Sequence, residues 1–116
     1  EDAEKIGKAP EGAARYYVRT SLYVDSPLDR AIVAVARLVQ QGHPAAAQTF
    51  ARIEGLWLDA LEKALGSRPV AQAIKLMGDG LYYSATFFSG ASQPAKVTEA
   101  ELEALLEQVD ALVERI

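Results

Sequence analysis

The chain has 116 residues, half of them hydrophobic, with 12 Lys and Arg against 16 Asp and Glu and a net charge of −4. That length supplies one domain with a core of its own and is too short for two. The acidic balance argues against a chain that grips a phosphate backbone by itself, and the absence of Cys excludes a disulfide framework, a zinc knuckle and a thiol nucleophile.

Aromatic residues make up 8% and charged residues 24%, while alanine fills about a fifth of the positions, a balance suited to packed helices. No apolar run approaches 18 residues and no signal peptide is visible, so the expectation is a cytoplasmic protein with no membrane partner. Because the chain starts at Glu1 and not Met, it is expected to be a piece of something longer.

Residues 1–10 are polar with little periodicity and end at Pro10. They read as a lead-in or as the end of a connecting helix, leaving residues 11–116 as a single helical domain. Segment A runs from about Glu11 to Val24, with Ala14, Val18 and Leu22 on one stripe and Tyr16 and Tyr23 on another. Ser26-Pro27 then offers an N-cap hydroxyl and a proline at the first helical position. Segment B therefore starts near Pro27; its apolar positions Leu28, Ile32, Val35 and Val39 fall at helical spacing, and Gly42 suits a left-handed stop. Segment C follows His43-Pro44 and runs to about Leu65, with Phe50, Ile53, Trp57, Leu61 and Ala64 on one side and Gly66 as its stop.

Segment D opens at Pro69 and reaches Phe88. It carries two apolar rows: Val70, Ile74, Met77, Leu81 and Phe88 form one, and Ala73, Leu76, Gly80, Tyr83 and Phe87 the other. A helix apolar on two sides must be covered on both, and in so small a body a partner chain is the economical cover. Gly78 and Gly80 each cost roughly 1 kcal/mol of helix propensity relative to Ala, which points to a neighbouring backbone or ligand that needs the space; the alternative is a tolerated pair that bends the helix.

Segment E has the clearest start, a capping box of Thr98 and Glu101 behind which Leu102, Leu105, Val109, Leu112 and Ile116 step at helical spacing. Its other face is acidic: six carboxylates against Arg115 give −5 for residues 98–116 and leave +1 for the rest. Such a run is expected to be a solvated face. Pairing of segments D and E with their symmetry mates predicts a homodimer built on a four-helix bundle, with Ile74, Leu81, Ala85, Phe88, Leu102, Leu105, Val109, Leu112 and Val113 at the interface.

No phosphate loop, nucleophile elbow or HExxH pattern occurs, and His43 sits in a Gly-His-Pro turn with no ligand cluster beside it. The chain is therefore expected to have no catalytic residue, no metal and no cofactor. What remains is pocket material: Tyr16, Arg19 and Tyr23 in segment A, Thr49, Phe50, Ile53 and Trp57 in segment C, and Met77, Tyr82, Tyr83 and Phe87 in segment D. Apolar walls with a few orienting polar groups commonly surround small molecules. Core packing is the competing explanation for each aromatic residue taken singly. Arg52 and Glu54, flanking Ile53, read as rim charges.

The run Leu76-Met77-Gly78-Asp79-Gly80-Leu81 on the penultimate helix, the Trp57-Leu58 helix before it and the final amphipathic helix together resemble the C-terminal regulatory domain of tetracycline-repressor (TetR) family transcription regulators. The resemblance covers about Tyr16 to Val113. It implies an all-α domain of five helices in a bundle-like arrangement, whose last two helices dimerise and whose earlier helices, with the penultimate one, enclose an effector pocket. It also implies DNA contact only through an N-terminal helix-turn-helix domain, for which the residues ahead of segment A leave no room. The expected function is effector sensing and dimerisation for a regulator, expected to be a repressor, with a small apolar or aromatic ligand. The alternative is a ligand-free helical dimerisation or interaction module with a solid core.

Overall fold

A computed structural model describes residues 2–21, 27–87 and 97–116. Among these there is no strand, and six helices follow one another: α1 (Asp2–Lys8), α2 (Ala13–Thr20), α3 (Pro27–Gln40), α4 (Pro44–Leu65), α5 (Arg68–Phe87) and α6 (Glu99–Glu114). The fold is all-α, as expected, with one helix more than the five predicted. The addition is α1, which packs on α4 and α2 and buries Ile6 to 3% exposure. A single large apolar residue among polar ones and small alanines gives little periodicity to read, yet it anchors the segment.

The stops and starts follow from local chemistry. Gly42 and Gly66 take left-handed φ of 84° and 75°, a conformation that costs a side-chain-bearing residue about 1 kcal/mol or more. Pro44 stands at the start of α4, where its missing N–H has no partner to lose. Helix α2 ends at Thr20, sooner than the expected Val24; Leu22–Val24 lie outside the described residues, as does Ser26, the expected cap of α3. At that end the Thr20 and Ser21 hydroxyls donate to the Tyr16 and Tyr17 carbonyls at 2.7 and 2.6 Å. The capping box of α6 is present in both directions: Glu101 N donates to Thr98 Oγ1 at 3.1 Å and Thr98 N to Glu101 Oε1 at 3.0 Å.

Helix α2 lies against α5 and α6 and also meets α4 and α1, while α4 spans the body from α3 to α5. The core cluster draws on α1, α2, α4, α5 and α6, with Val18, Leu61, Ile74, Leu106 and Val109 fully enclosed; each such side chain contributes about 1.5–3 kcal/mol by leaving water. Helix α3 stands apart: it packs on α4, and none of its described side chains joins the core.

The acidic face of α6 is exposed at Glu99, Glu101, Glu103, Glu107 and Glu114, as expected, and part of it also meets α2. Arg15 of α2 donates to Asp110 through Nε and Nη2 at 2.9 and 2.8 Å, and Glu103 lies 3.6 Å from Arg15 and 3.8 Å from Arg19. The two arginines tie α6 to α2. The guanidinium of Arg15 holds the Asp110 carboxyl below its ordinary pKa, and the Thr98 amide and hydroxyl do the same for Glu101. Carboxylates whose folded pKa is depressed stabilise the fold above their unfolded pKa, about 4, and lose that contribution as pH falls through the lower folded value. The Asp110→Asn/Glu101→Gln double variant is accordingly expected to be less stable than the parent at pH 7 and to match it more closely by about pH 3, as read from urea midpoints at both pH values. A gap that stays constant with pH contradicts the assignment.

Candidate ligand cleft and its polar chain

Between α3 and the N-terminal half of α4 lies a cleft of about 70 Å³, lined among the described residues by Ala31, Ile32, Val35, Phe50, Ile53, Glu54 and Trp57. Helical spacing produces both walls. Ala31, Ile32 and Val35 fall three to four apart on α3, and Phe50, Ile53, Glu54 and Trp57 follow the same spacing on α4. The only polar side chain in this lining is Glu54.

Glu54 starts a chain of polar contacts that crosses the body. It pairs with Lys75 of α5, which also donates to Asp79 Oδ2 one turn later at 2.5 Å. Asp79 Oδ1 accepts from the hydroxyl of Tyr17 on α2, again at 2.5 Å. The Tyr17 ring is 7% exposed and meets Trp57 edge-on, with centroids 6.4 Å apart. Burial foremost, and then the Asp79 carboxylate, raises the pKa of the phenol, so Tyr17 stays a proton donor at any working pH. Cleft and α2 are thus joined twice, through Trp57–Tyr17 and through Glu54–Lys75–Asp79–Tyr17. A partly buried chain of this kind restrains its members when every one is partnered.

The close approach of α2 to α5 explains one of the two glycines. A Cβ built on Gly78 would lie 2.5 Å from Tyr17 Cε2 and 2.8 Å from Ser21 Oγ, whereas one on Gly80 would meet nothing within 4 Å. The neighbour that needs the space at Gly78 is this chain's own tyrosine.

Of the residues expected to line a pocket, the structure brings Phe50, Ile53 and Trp57 together on the cleft. Met77 packs against the core. Arg19 pairs at the surface with Glu11 and Glu103. Tyr16 borders a separate shallow depression with Glu4, Lys5, Lys8, Ala9 and Pro10. Thr49 and Tyr83 are exposed and Tyr82 is half-buried on α5, while Tyr23 and the side chain of Phe87 lie outside the described residues. The second wall comes from α3 instead of α2 and α5. Glu54, read as a rim charge, borders the cleft but turns its carboxylate to Lys75 of α5, and Tyr17 and Lys75 were not anticipated. The spacing of Ile32 and Val35 was visible in the sequence and carried the signal, but nothing there distinguishes a stripe that lines a cleft from one that fills a core.

The two rows of α5 also separate. Ile74 is fully enclosed, and Val70, Met77 and Leu81 pack against the core, so this row faces the chain's own helices. The row that faces outward holds Ala73, Leu76, Gly80 and Tyr83, all exposed, with Leu76 at 72%. On α6 Val109 is likewise enclosed; Leu102, Leu112 and Val113 are partly buried against the core, and Leu105 is half-buried. Ile74 and Val109, expected at a dimer interface, therefore sit in the interior. The side chain of Ala85 and the whole of Phe88 lie outside the described residues.

Among the described residues no helix is long and apolar enough to cross a membrane. In comparisons with known proteins, no curated protein and no solved structure matched the chain. A family model described as tetracyclin repressor-like, C-terminal domain, matches residues 11–114, a span that takes in α2 to α6 and with them the cleft, the polar chain and both rows of α5. The chain belongs to the C-terminal domain family of TetR-like transcriptional regulators.

Proposed function

We propose that this domain senses a small apolar or aromatic effector between α3 and α4 and forms a homodimer through the outer faces of α5 and α6. In this reading it transmits occupancy through α2 to a DNA-binding domain that these 116 residues do not contain, as in a repressor. The observation that carries the sensing role is the apolar cleft joined by Glu54 and Trp57 to α2. At about 70 Å³ the cleft is well below the roughly 300–1,000 Å³ of drug-sized sites, so an effector has to widen it. Helix α3 is suited to that movement because it packs on α4 and none of its described side chains joins the core. Dimerisation is supported by the exposed row Ala73, Leu76, Gly80 and Tyr83, which places small residues beside large apolar ones on the face away from the body.

A thermal-shift panel of apolar and aromatic compounds tests the sensing role. A compound at about 100 times its Kd is expected to stabilise the domain by about 2.7 kcal/mol. The shift should vanish in Ala31→Leu, which adds three carbons to the cleft wall. No shift across a broad panel favours the solid interaction module, and a shift that survives Ala31→Leu places the ligand elsewhere.

A further inference from the structure

Resting on the dimer just proposed, we infer that Arg15 is the positioning residue through which self-association at α6 sets the placement of α2, so that pairing of two copies and the state of the cleft are thermodynamically linked. Among the described residues α6 packs chiefly on α2 and meets α5 only lightly. A partner copy that bears on α6 therefore acts on α2 before it acts on the rest of the body. Helix α2 in turn packs on α5, where the Tyr17 hydroxyl donates to Asp79 at the end of the polar chain that begins at Glu54. It stands between the helix that pairs and the residues that border the cleft.

Positions 15 and 17 lie about 200° apart around a helix, so two residues of α2 serve its opposite sides. Toward α6 the contacts are of two kinds. Ala14 and Val18 share the core cluster with Leu106 and Val109, but apolar burial is non-directional and tolerates rolling of one helix on another. The Arg15–Asp110 contact is not so tolerant: Nε and Nη2 donate to the two carboxylate oxygens at 2.9 and 2.8 Å, a fork that fixes direction as well as distance. Arg19 follows one turn later on the same side, and Glu103, 3.6 Å from Arg15 and 3.8 Å from Arg19, extends the clamp. Arg15 thus sets how α2 is rotated against α6, while Tyr17 holds it on α5. Coupling between two binding events is reciprocal, so a compound that shifts α2 alters self-association by the same factor as self-association alters its affinity.

Amide hydrogen exchange of α2, measured below and above the midpoint of self-association found by sedimentation, tests the link. It is read relative to the C-terminal half of α4, which carries the enclosed Leu61 and reports any general stabilisation. In the parent, association is expected to slow α2 beyond that reference. In Arg15→Gln the dimer should still form while this extra slowing falls by about half or more, and Arg15→Lys, which keeps the charge without the fork, should lie between the two. A purely structural Arg15 would instead quicken α2 equally in both states and leave their difference intact, a result that overturns the proposal. Association that leaves α2 of the parent unaltered overturns it as well, and the dimer itself then stands. A parent that stays monomeric at every concentration removes the dimer reading and this link with it. Should Arg15→Gln fold poorly, Asp110→Asn breaks the same contact from the side of α6 and is read in the same way.

Discussion

Ile74→Ala is expected to destabilise the domain by about 2–5 kcal/mol, and by the same amount at every protein concentration. The residue is fully enclosed, so truncation removes buried methyl groups and leaves a cavity that the surrounding helices close only in part. Leu76, two positions later on the same helix, is 72% exposed. Leu76→Ala should change the stability of the isolated domain by no more than about 0.5 kcal/mol, yet weaken self-association by tenfold or more if the outer row of α5 forms the dimer contact. Chemical denaturation at two concentrations, paired with sedimentation analysis, reads both effects. A concentration-dependent loss in Ile74→Ala, with Leu76→Ala silent in both assays, would return the interface to the inner row and contradict the placement of the two faces.

The glycine pair on α5 provides the second large contrast, because the same substitution has opposite signs two residues apart. Gly80→Ala removes the entropic penalty of a mid-helix glycine where a Cβ meets nothing, and should stabilise the monomer by about 0.5–1 kcal/mol. Gly78→Ala gains the same propensity but drives a Cβ to within 2.5 Å of the Tyr17 ring. That ring cannot swing aside at little cost: it is wedged against Trp57 and anchored at its hydroxyl by Asp79. Overpacking of this kind typically costs about 1–3 kcal/mol, so a net loss is expected. The variant should also perturb Trp57 fluorescence, since Tyr17 is its edge-on neighbour. Equal and favourable effects at both glycines would show that α2 and α5 are not in close contact at Gly78.

Much of the architecture is legible in the sequence because local chemistry marks it. Pro27, Pro44, Gly42, Gly66 and the Thr98–Glu101 box each bound a helix for reasons that need no tertiary context. Helix α1 is legible only as one of two alternatives, a lead-in or the end of a connecting helix, since one large buried isoleucine in a polar run leaves little period. The two rows of α5 are legible as rows, but which of them faces inward depends on where α2 and α6 pack, and that is a long-range fact. The same limit applies to the α3–α4 cleft. Phe50, Ile53 and Trp57 announce an apolar face; that α3 forms the opposite wall, and that Glu54 turns toward Lys75, follows only once the helices are placed. The buried position of Tyr17 is a consequence of the missing side chain at Gly78, a pairing across about sixty residues of chain that periodicity cannot reveal.

The central claim is that the α3–α4 cleft and α2 respond as one unit. Amide hydrogen exchange along the chain, with and without a compound that stabilises the domain, tests it most directly. The account predicts slowed exchange in α3 and the N-terminal half of α4, with an accompanying change in α2 that is lost in Asp79→Asn, where the link to Tyr17 is weakened. Protection confined to α3 and α4, with α2 unaltered in the parent protein, would contradict it.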